Sequence, residues 1–142
     1  SQTPIWTSTT SDGTPILSQT TSLAWGDWNN DGQLDLAIGN YNGKDQVYAN
    51  LGSGTGKPNL ILLWESEASY QTTDVAWGDM DNDGDLDLAI SQDGSDANGV
   101  YENTYVSPSH LTNVFTRTMP LPYNPSYVSI ARPGSTADAY FF

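Results

Sequence analysis

Short apolar runs alternate with turn-rich segments along the chain. "LILLW" at residues 60–64 is a continuous apolar run, and "DLDLAIS" at residues 85–91 alternates in part. Asn-Gly and Asp-Gly pairs, at Asn42, Asp93 and Asn98, separate such runs in the way that hairpin turns do. No stretch of ten residues keeps its apolar residues at helical spacing, so the pattern predicts an all-β chain.

The predicted strands recur with a period near 50 residues. "AWGDWNNDGQLDLAI" (24–38) returns as "AWGDMDNDGDLDLAI" (76–90) with twelve of fifteen positions identical, and "QVYAN" (46–50) returns as "GVYEN" (99–103). "LILLWESE" has weaker counterparts around Trp6 and Phe115. Each unit therefore contains four predicted strands: an aromatic-bearing run, "slAWGD", "LDLAI" and "VYxN". Four-stranded units of this period are typical of β-propeller blades.

These repeats divide the chain into two full units and a partial one. We place the first unit at residues 1–56, the second at 57–107 and a degenerate third at 108–142, in which most acids of the repeated segment are replaced. A closed propeller needs about four to eight blades. We therefore expect either a longer parent protein or self-association through open blade edges, with the "VYxN" segments as outer strands.

The chain is strongly acidic, and the acidity is concentrated in the repeated segments. The chain has 17 acidic and 4 basic residues, for a net charge of −13, and eight of the 17 acids lie in the two repeated segments. This balance disfavours nucleic acid and anionic membranes as partners, because the chain has too few cations to neutralise phosphates. No apolar run approaches the roughly 18 residues of a membrane-spanning helix, so membrane insertion is not expected. With no cysteine, disulfide and thiolate chemistry are excluded.

The repeated acidic loops carry oxygen-bearing side chains at alternate positions. Positions 1, 3, 5, 7 and 9 hold Asp27, Asn29, Asp31, Gln33 and Asp35 in the first loop, and Asp79, Asp81, Asp83, Asp85 and Asp87 in the second. Glycine at position 6 permits the tight turn that such a loop needs. Calcium takes six to eight hard oxygen ligands, one of them commonly the main-chain carbonyl of position 7. Magnesium prefers fewer protein ligands, and zinc prefers His or Cys. The loops therefore predict two calcium ions per chain.

Two other interpretations of the loops fit the sequence less well. An EF-hand or dockerin loop shares these positions but needs an acidic residue at position 12, where this chain has Ile38 and Ile90. The flanking segments are also predicted strands, whereas an EF-hand loop joins two helices. The other interpretation is an Asp/Asn/Gly-rich hairpin turn that binds no metal, and the duplication of the whole motif argues against it.

The segment "WGD" leading into "DxDxDGxxD" and leaving as "LDLAI" resembles the FG-GAP/VCBS repeat of integrin-α-like β-propeller proteins. The resemblance covers roughly the first 100 residues well and the last 35 poorly. It implies a propeller blade with calcium in a hairpin loop between two strands, held by the same ten residues, with Gln33 and Asp85 contributing their carbonyls. Asn29 departs from the all-Asp pattern, which removes one charge and weakens the first site.

Other conspicuous residues receive structural interpretations. Trp25 and Trp77 recur at the repeat period and are predicted to lie in the core between blades. Trp28 lies inside the first loop, where it either binds a ligand or packs on a neighbouring loop. The single histidine, His110, has no carboxylate at recognisable spacing, and Glu65 and Glu67 are predicted to lie on one solvated strand face.

We expect a non-catalytic, calcium-binding repeat module of an extracellular or cell-surface protein, used for adhesion or for recognition of a protein or carbohydrate. The chain shows no Ser/His/Asp set and no cluster of basic residues suited to catalysis. One alternative is the propeller portion of a secreted enzyme that acts on polysaccharides or lipids. A second is a structural spacer between other domains.

Overall fold

The chain folds into antiparallel β-strands. The computed structural model describes residues 2–10, 13–94, 97–104 and 115–120. The strands in these ranges are β1 (Gln19–Gly26), β2 (Asp35–Gly43), β3 (Gln46–Asn50), β4 (Leu60–Glu65), β5 (Tyr70–Gly78), β6 (Asp87–Gln92), β7 (Gly99–Asn103) and β8 (Phe115–Pro120). The described residues include no helix long and apolar enough to cross a membrane. The prediction of an all-β chain is confirmed.

The eight strands form two consecutive four-stranded blades. In the first blade, β1 pairs with β2, β2 with β3 and β3 with β4, all antiparallel. The second blade repeats this order with β5 to β8. The blades are joined where the end of β2 pairs with the start of β5, at Tyr41 opposite Gln71. Two consecutive four-stranded antiparallel units give the β-propeller-type architecture that the repeat period predicts.

The blades are offset from the sequence units by one strand. The run 60–65, which opens the second sequence unit, pairs with β3 and completes the first blade. In the same way β8 pairs with β7 and completes the second blade. The "VYxN" segments are therefore third strands, and the prediction that they are outer strands is wrong. Consecutive segments pair through short connections, so each "VYxN" strand takes the next apolar run as its neighbour. The remainder of the predicted third unit, 108–142, lies outside the described residues.

The segment around Trp6 differs from its prediction as a strand. An isolated bridge between Thr9 and Pro15 is the only sheet-like pairing described there. The Trp6 ring instead packs edge-on against Tyr48, with ring centroids 4.9 Å apart, and its indole N–H donates to the Leu60 carbonyl over 3.3 Å. No strand runs beside this segment among the described residues, so side-chain packing holds it in place.

The main core lies between the two blades, where small residues of one face large residues of the other. The first blade contributes Ala37, Val47 and Ala49, together with the loop residue Trp28. From the second blade come Val75, Trp77, Leu88, Ile90 and Tyr101. A Cβ added at Gly26 would lie 2.6 Å from Cδ1 of Trp77, so the indole needs a residue without a side chain there. The same indole donates to the Ala24 carbonyl over 3.1 Å.

The two repeated tryptophans occupy different environments. Trp77 is 8% exposed and lies in the core between the blades, as predicted. Trp25 is 54% exposed, so its predicted place in such a core is wrong for this chain. The reason is that the first blade covers Trp77, whereas no described strand covers the corresponding face of the first blade. Trp28 is 1% exposed and packs in the core, which excludes an outward-facing binding role.

This asymmetry gives a matched pair of substitutions. We expect Trp77→Ala to lower the free energy of unfolding by about 3–5 kcal/mol, because it leaves a cavity in the core. Trp25→Ala, at the equivalent repeat position, is expected to cost about 1 kcal/mol or less. Urea denaturation of both variants, followed by far-UV circular dichroism, measures the difference. Equal losses would contradict the described packing.

A buried polar cluster holds the junction between the blades. Asp45 accepts the backbone N–H of Asn40 over 2.9 Å and the hydroxyl of Thr72, on β5, over 2.8 Å. Its own N–H donates to Ser66 Oγ over 3.0 Å. Burial raises the pKa of Asp45 from 3.8 to about 6, against the lowering effect of the two hydrogen bonds that the carboxylate accepts. In the second blade the neutral Asn98 makes the corresponding contact, with its Oδ1 accepting the Gln92 N–H over 2.6 Å.

The Asp45 carboxylate makes stability depend on pH. Because the folded state raises its pKa, the chain loses stability as pH rises from about 4 to about 6, where the side chain ionises. One pKa unit corresponds to about 1.4 kcal/mol, so the loss is at most about 3 kcal/mol. We expect Asp45→Asn to be more stable than the wild type above about pH 6 and equally stable below about pH 4. Urea denaturation across this pH range tests it, and a difference independent of pH would contradict it.

Candidate metal centre

Both acidic loops close a β-hairpin at equivalent places. Gly26 pairs with Asp35 at the end of the β1–β2 hairpin, and Gly78 pairs with Asp87 at the end of the β5–β6 hairpin. The last residue pair of each hairpin therefore flanks its acidic loop on both sides. Hairpin loops between two strands are what the sequence predicted for these segments.

The backbone of each loop turns through left-handed positions. Asn30 and Asn82 have φ of 56° and 66°, and Gly32 and Gly84 have φ of 85° and 98°. Asn and Gly are the residues that enter this region most readily, which explains why both copies keep them. Sequence analysis found the role of the glycines and missed that of the asparagines.

The first Asp of each loop organises the turn. The Asp27 carboxylate accepts the backbone N–H groups of Asp31 and Gly32 over 3.0 and 2.9 Å. Asp79 accepts the corresponding N–H groups of Asp83 and Gly84 over 3.2 and 3.1 Å. Each loop thus wraps around its first carboxylate, and the side chains that follow are held near it.

The Asp at position 9 ties each loop to the third strand of its blade. Asp35 accepts the backbone N–H groups of Trp28 and Asn50 over 3.1 and 2.7 Å. Burial raises its pKa to about 6, although both hydrogen bonds oppose this. Asp87 makes the same pair of contacts with Met80 and Asn103, each over 2.8 Å, and burial raises its pKa too. These two carboxylates therefore stabilise the fold in addition to their predicted role as ligands.

Two asparagines complete the fastening of the loops. Asn103 donates its side-chain amide to the carbonyls of Trp28 and Leu86, over 2.7 and 3.2 Å. Asn50 donates in the same way to the Leu34 carbonyl over 3.2 Å. Sequence analysis did not assign these residues to the site, although their recurrence at the end of both "VYxN" segments is the signal that identifies them.

The second loop brings three carboxylates together. Asp79, Asp81 and Asp87 each offer a carboxylate oxygen, and these oxygens lie within 4.8 Å of one another. Asp83 lies beside them, where its Oδ1 accepts the backbone N–H of Asp85 over 3.1 Å. Like charges this close repel unless a proton or a cation lies among them.

The Asp85 side chain lies near this cluster, close enough for Asp81, Asp83 and Asp87 to affect its ionisation. Its Oδ1 is buried and has no hydrogen-bond partner among the described residues. Burial, followed by repulsion from the neighbouring Asp83 and Asp87 carboxylates and a side-chain contact with Asp83, raises its pKa from 3.8 to about 7 in all. Sequence analysis assigned only its main-chain carbonyl to the site. An all-oxygen donor set with an unpaired buried carboxylate oxygen fits a hard divalent cation such as calcium.

The first loop has the same backbone but a different charge arrangement. Its Asn29 donates its side-chain amide to the Asp31 carboxylate over 3.0 Å, a contact that Asp81 cannot make with Asp83. Gln33 donates its backbone N–H to Asp31 Oδ1 over 2.8 Å. Within the described part of the chain, a group of three acidic side chains with converging oxygens is found in the second loop and not in the first.

The two loops also contact each other. The side-chain amide of Asn30 donates to the Gly84 carbonyl over 3.0 Å. The two candidate sites therefore lie side by side at one end of the blades.

Fold and loops together define a β-propeller-type repeat unit with an acidic hairpin loop in each blade. Residues 27–90 match the family described as the FG-GAP-like repeat. The resemblance inferred from the sequence is thus confirmed over this range, which contains both acidic loops and the strands between them. No curated protein and no solved structure matches the chain.

The position 9 carboxylates allow a stability test that is independent of any metal. Asp35→Ala leaves the buried N–H of Trp28 and the part-buried N–H of Asn50 without their carboxylate acceptor. In the presence of a chelator we expect it to cost about 2–4 kcal/mol of unfolding free energy. Asp31→Ala, in the same loop but exposed, is the control and is expected to cost about 1 kcal/mol or less. Urea denaturation measures both, and a cost for Asp35→Ala no larger than that of the control would contradict the structural role.

Proposed function

We propose that the chain is a non-catalytic, calcium-binding FG-GAP-like repeat module that holds one calcium ion in each acidic loop. The single observation that carries this proposal is the second loop, where the oxygens of Asp79, Asp81 and Asp87 converge beside the unpaired, buried Oδ1 of Asp85. A divalent cation would offset half of the charge of these four carboxylates and so reduce their mutual repulsion.

The residues proposed to hold the ions are the ten predicted from the sequence. They are Asp27, Asn29, Asp31, Gln33 and Asp35 in the first loop, and Asp79, Asp81, Asp83, Asp85 and Asp87 in the second. The second loop has the greater charge and is the stronger of the two proposed sites. Asn29 carries no charge, and its side-chain amide donates a hydrogen bond to the Asp31 carboxylate, which competes with binding of a cation there. The proposed first site is therefore weaker.

Calcium binding at these loops would contribute to folding. Metal-binding free energy adds to folding free energy when the unfolded chain lacks a preformed site. Here each loop is closed by Asp35 or Asp87 onto the third strand, so its side chains take up their positions only in the folded blade. The ion would therefore stabilise the hairpins β1–β2 and β5–β6 and, through the contact of Asn30 with Gly84, both loops together.

We place this module in an extracellular or cell-surface protein. Calcium sites of extracellular modules have dissociation constants on the order of 10⁻⁴–10⁻³ M, a range that exposed loops with few neutralising partners suit. A rigid calcium-stabilised blade stack would then present its surface for adhesion or for recognition of a protein or carbohydrate ligand. A fold of this kind supports many functions, so this use rests on the proposed calcium site and on the family.

Calorimetric titration of calcium into chelator-stripped protein near pH 7 tests the proposal. We expect two sites per chain, of which the second loop binds more tightly. The loops offer a reciprocal exchange at position 3: Asp81→Asn should weaken the stronger site about tenfold, and Asn29→Asp should strengthen the weaker one by a similar factor.

The control variant is Glu67→Gln, which removes one exposed charge outside both loops. It is expected to leave both affinities within about twofold of the wild type, because distant exposed charges are screened by salt. If calorimetry detects no calcium binding while circular dichroism shows that the chelator-stripped chain is folded, the proposal is overturned. Equal effects of Glu67→Gln and Asp81→Asn on calcium affinity would contradict specific sites in the loops, since the net charge alone would then attract the ion.

A further inference from the structure

Three apolar side chains of the first blade are exposed at positions whose repeat equivalents are buried or partly buried. Leu23, Trp25 and Leu34 are 58%, 54% and 56% exposed. Their equivalents in the second blade are Val75, Trp77 and Leu86, which all pack in the core between the blades. We call Leu23, Trp25 and Leu34 the open face.

The core between the blades shows what covers such a face. Trp77 lies against the backbone of β1, with its indole N–H donating to the Ala24 carbonyl and its ring over Gly26. Leu86 reaches the same glycine, since a Cβ there would lie 3.1 Å from its Cδ1. The cover is therefore a β-strand with small residues at alternate positions and an accessible carbonyl, as in "AWG".

The rest of the same face is already covered within the chain. Trp6 and Ile16 pack against a cluster on the first blade that contains Leu36, Ile38 and Tyr48. The edge-on contact of Trp6 with Tyr48 has its counterpart in that of Trp64 with Tyr101, at 5.1 Å. Residues near Trp6 thus stand where the outer strand of another blade would lie, and the open face is the part that inner strands would cover.

The second blade carries the complementary strand. "AWG" recurs at residues 76–78, and Ala76 and Gly78 occupy the repeat positions of Ala24 and Gly26. Both are partly exposed, whereas Ala89 and Val100, farther along that face, are buried. The accessible part of this small-residue face therefore corresponds to the strand that the open face lacks.

We propose that the open face is a docking surface for a second copy of this chain, which inserts the β5 strand of its second blade at Ala76 and Gly78. The Trp25 indole then lies over Gly78 of the second copy, as Trp77 lies over Gly26 within one chain. The contact extends the core between the blades from one molecule into the next. It buries leucine and tryptophan surface that is otherwise in water.

This contact is head-to-tail, because the two docking surfaces are different. Such an interface leaves one open face and one β5 strand free in every dimer, so assembly continues into a closed ring or an open filament. The net charge of −13 opposes association between copies, and salt screens this repulsion. Association is therefore expected to strengthen as the salt concentration rises, as an apolar contact between like-charged molecules should.

Sedimentation velocity of the full chain tests the proposal over about 5–500 µM in 0.5 M NaCl, where exposed charges are largely screened. The measurement is made with calcium and again with a chelator, so that a missing metal site cannot imitate a missing interface. We expect the average mass to rise from the monomer value of 15.4 kDa toward dimer and higher species. The double variant Leu23→Thr/Trp25→Thr should shift the association at least tenfold to higher concentration. Threonine keeps β-propensity, so the strand is retained.

Leu17→Thr is the matched control, because Leu17 is 96% exposed and lies outside the open face. It should associate like the wild type. The polarity is tested by mixing: the double variant should still bind wild-type chains through its intact β5 strand. A wild type that stays monomeric at 500 µM overturns the proposal, and so does equal loss in the control and the double variant. A monomer in which the fluorescence of Trp25, taken as the difference between the wild type and Trp25→Phe, is protected from acrylamide also overturns it, since another part of the same chain then covers the face.

Discussion

The contact of the Trp77 indole with the backbone at Ala24 and Gly26 is the interaction on which the arrangement of the two blades depends. A ring of this size fits against a strand only where that strand has no side chain, and Gly26 provides the space. The hydrogen bond to the Ala24 carbonyl fixes the ring in one orientation. Because a small-residue face receives a large-residue face, the packing has a direction, and each of the two blades has one face of each kind. The difference between buried Trp77 and exposed Trp25 follows from that direction.

Hydrogen bonds from backbone N–H groups and asparagine amides shape the acidic loops and attach them to this packed frame. Backbone N–H groups bind the carboxylates at positions 1 and 9, and the amides of Asn50 and Asn103 bind loop carbonyls. The loop shape is therefore set by hydrogen bonds that hold without a cation. What remains unbalanced in the second loop is charge, since Asp81 and Asp85 lie close to other carboxylates. A site that is preshaped and electrostatically unbalanced is suited to a cation, because little ordering remains to be done when the ion arrives.

The strands and the loops could be predicted from the sequence because their causes are local. Apolar runs between turn residues gave the strands, and alternate Asp and Asn residues around Gly32 and Gly84 gave the loops. Other features depend on which segments become neighbours in space. The burial of Trp28 and the exposure of Trp25 follow from packing between distant segments, which a repeat pattern does not specify. The pairing of residues 60–65 with β3 is local, but the repeat pattern does not show on which side of the unit boundary a strand finds its partner. The position of the Asp85 side chain near the other carboxylates also escaped prediction, since its direction depends on how the loop turns around Asp79.

The one-strand offset between sequence repeats and blades has a consequence for how the chain unfolds. Each repeat begins by supplying the last strand of the blade before it, as residues 60–65 do for the first blade. A blade is therefore complete only when the next repeat has folded at least in part. Repeat arrays whose units contact only their neighbours behave as coupled one-dimensional systems, with coupling set by the interface between units. Because the second repeat supplies the last strand of the first blade, unfolding of that repeat also removes a strand from the first blade. This favours loss of both blades in one cooperative transition.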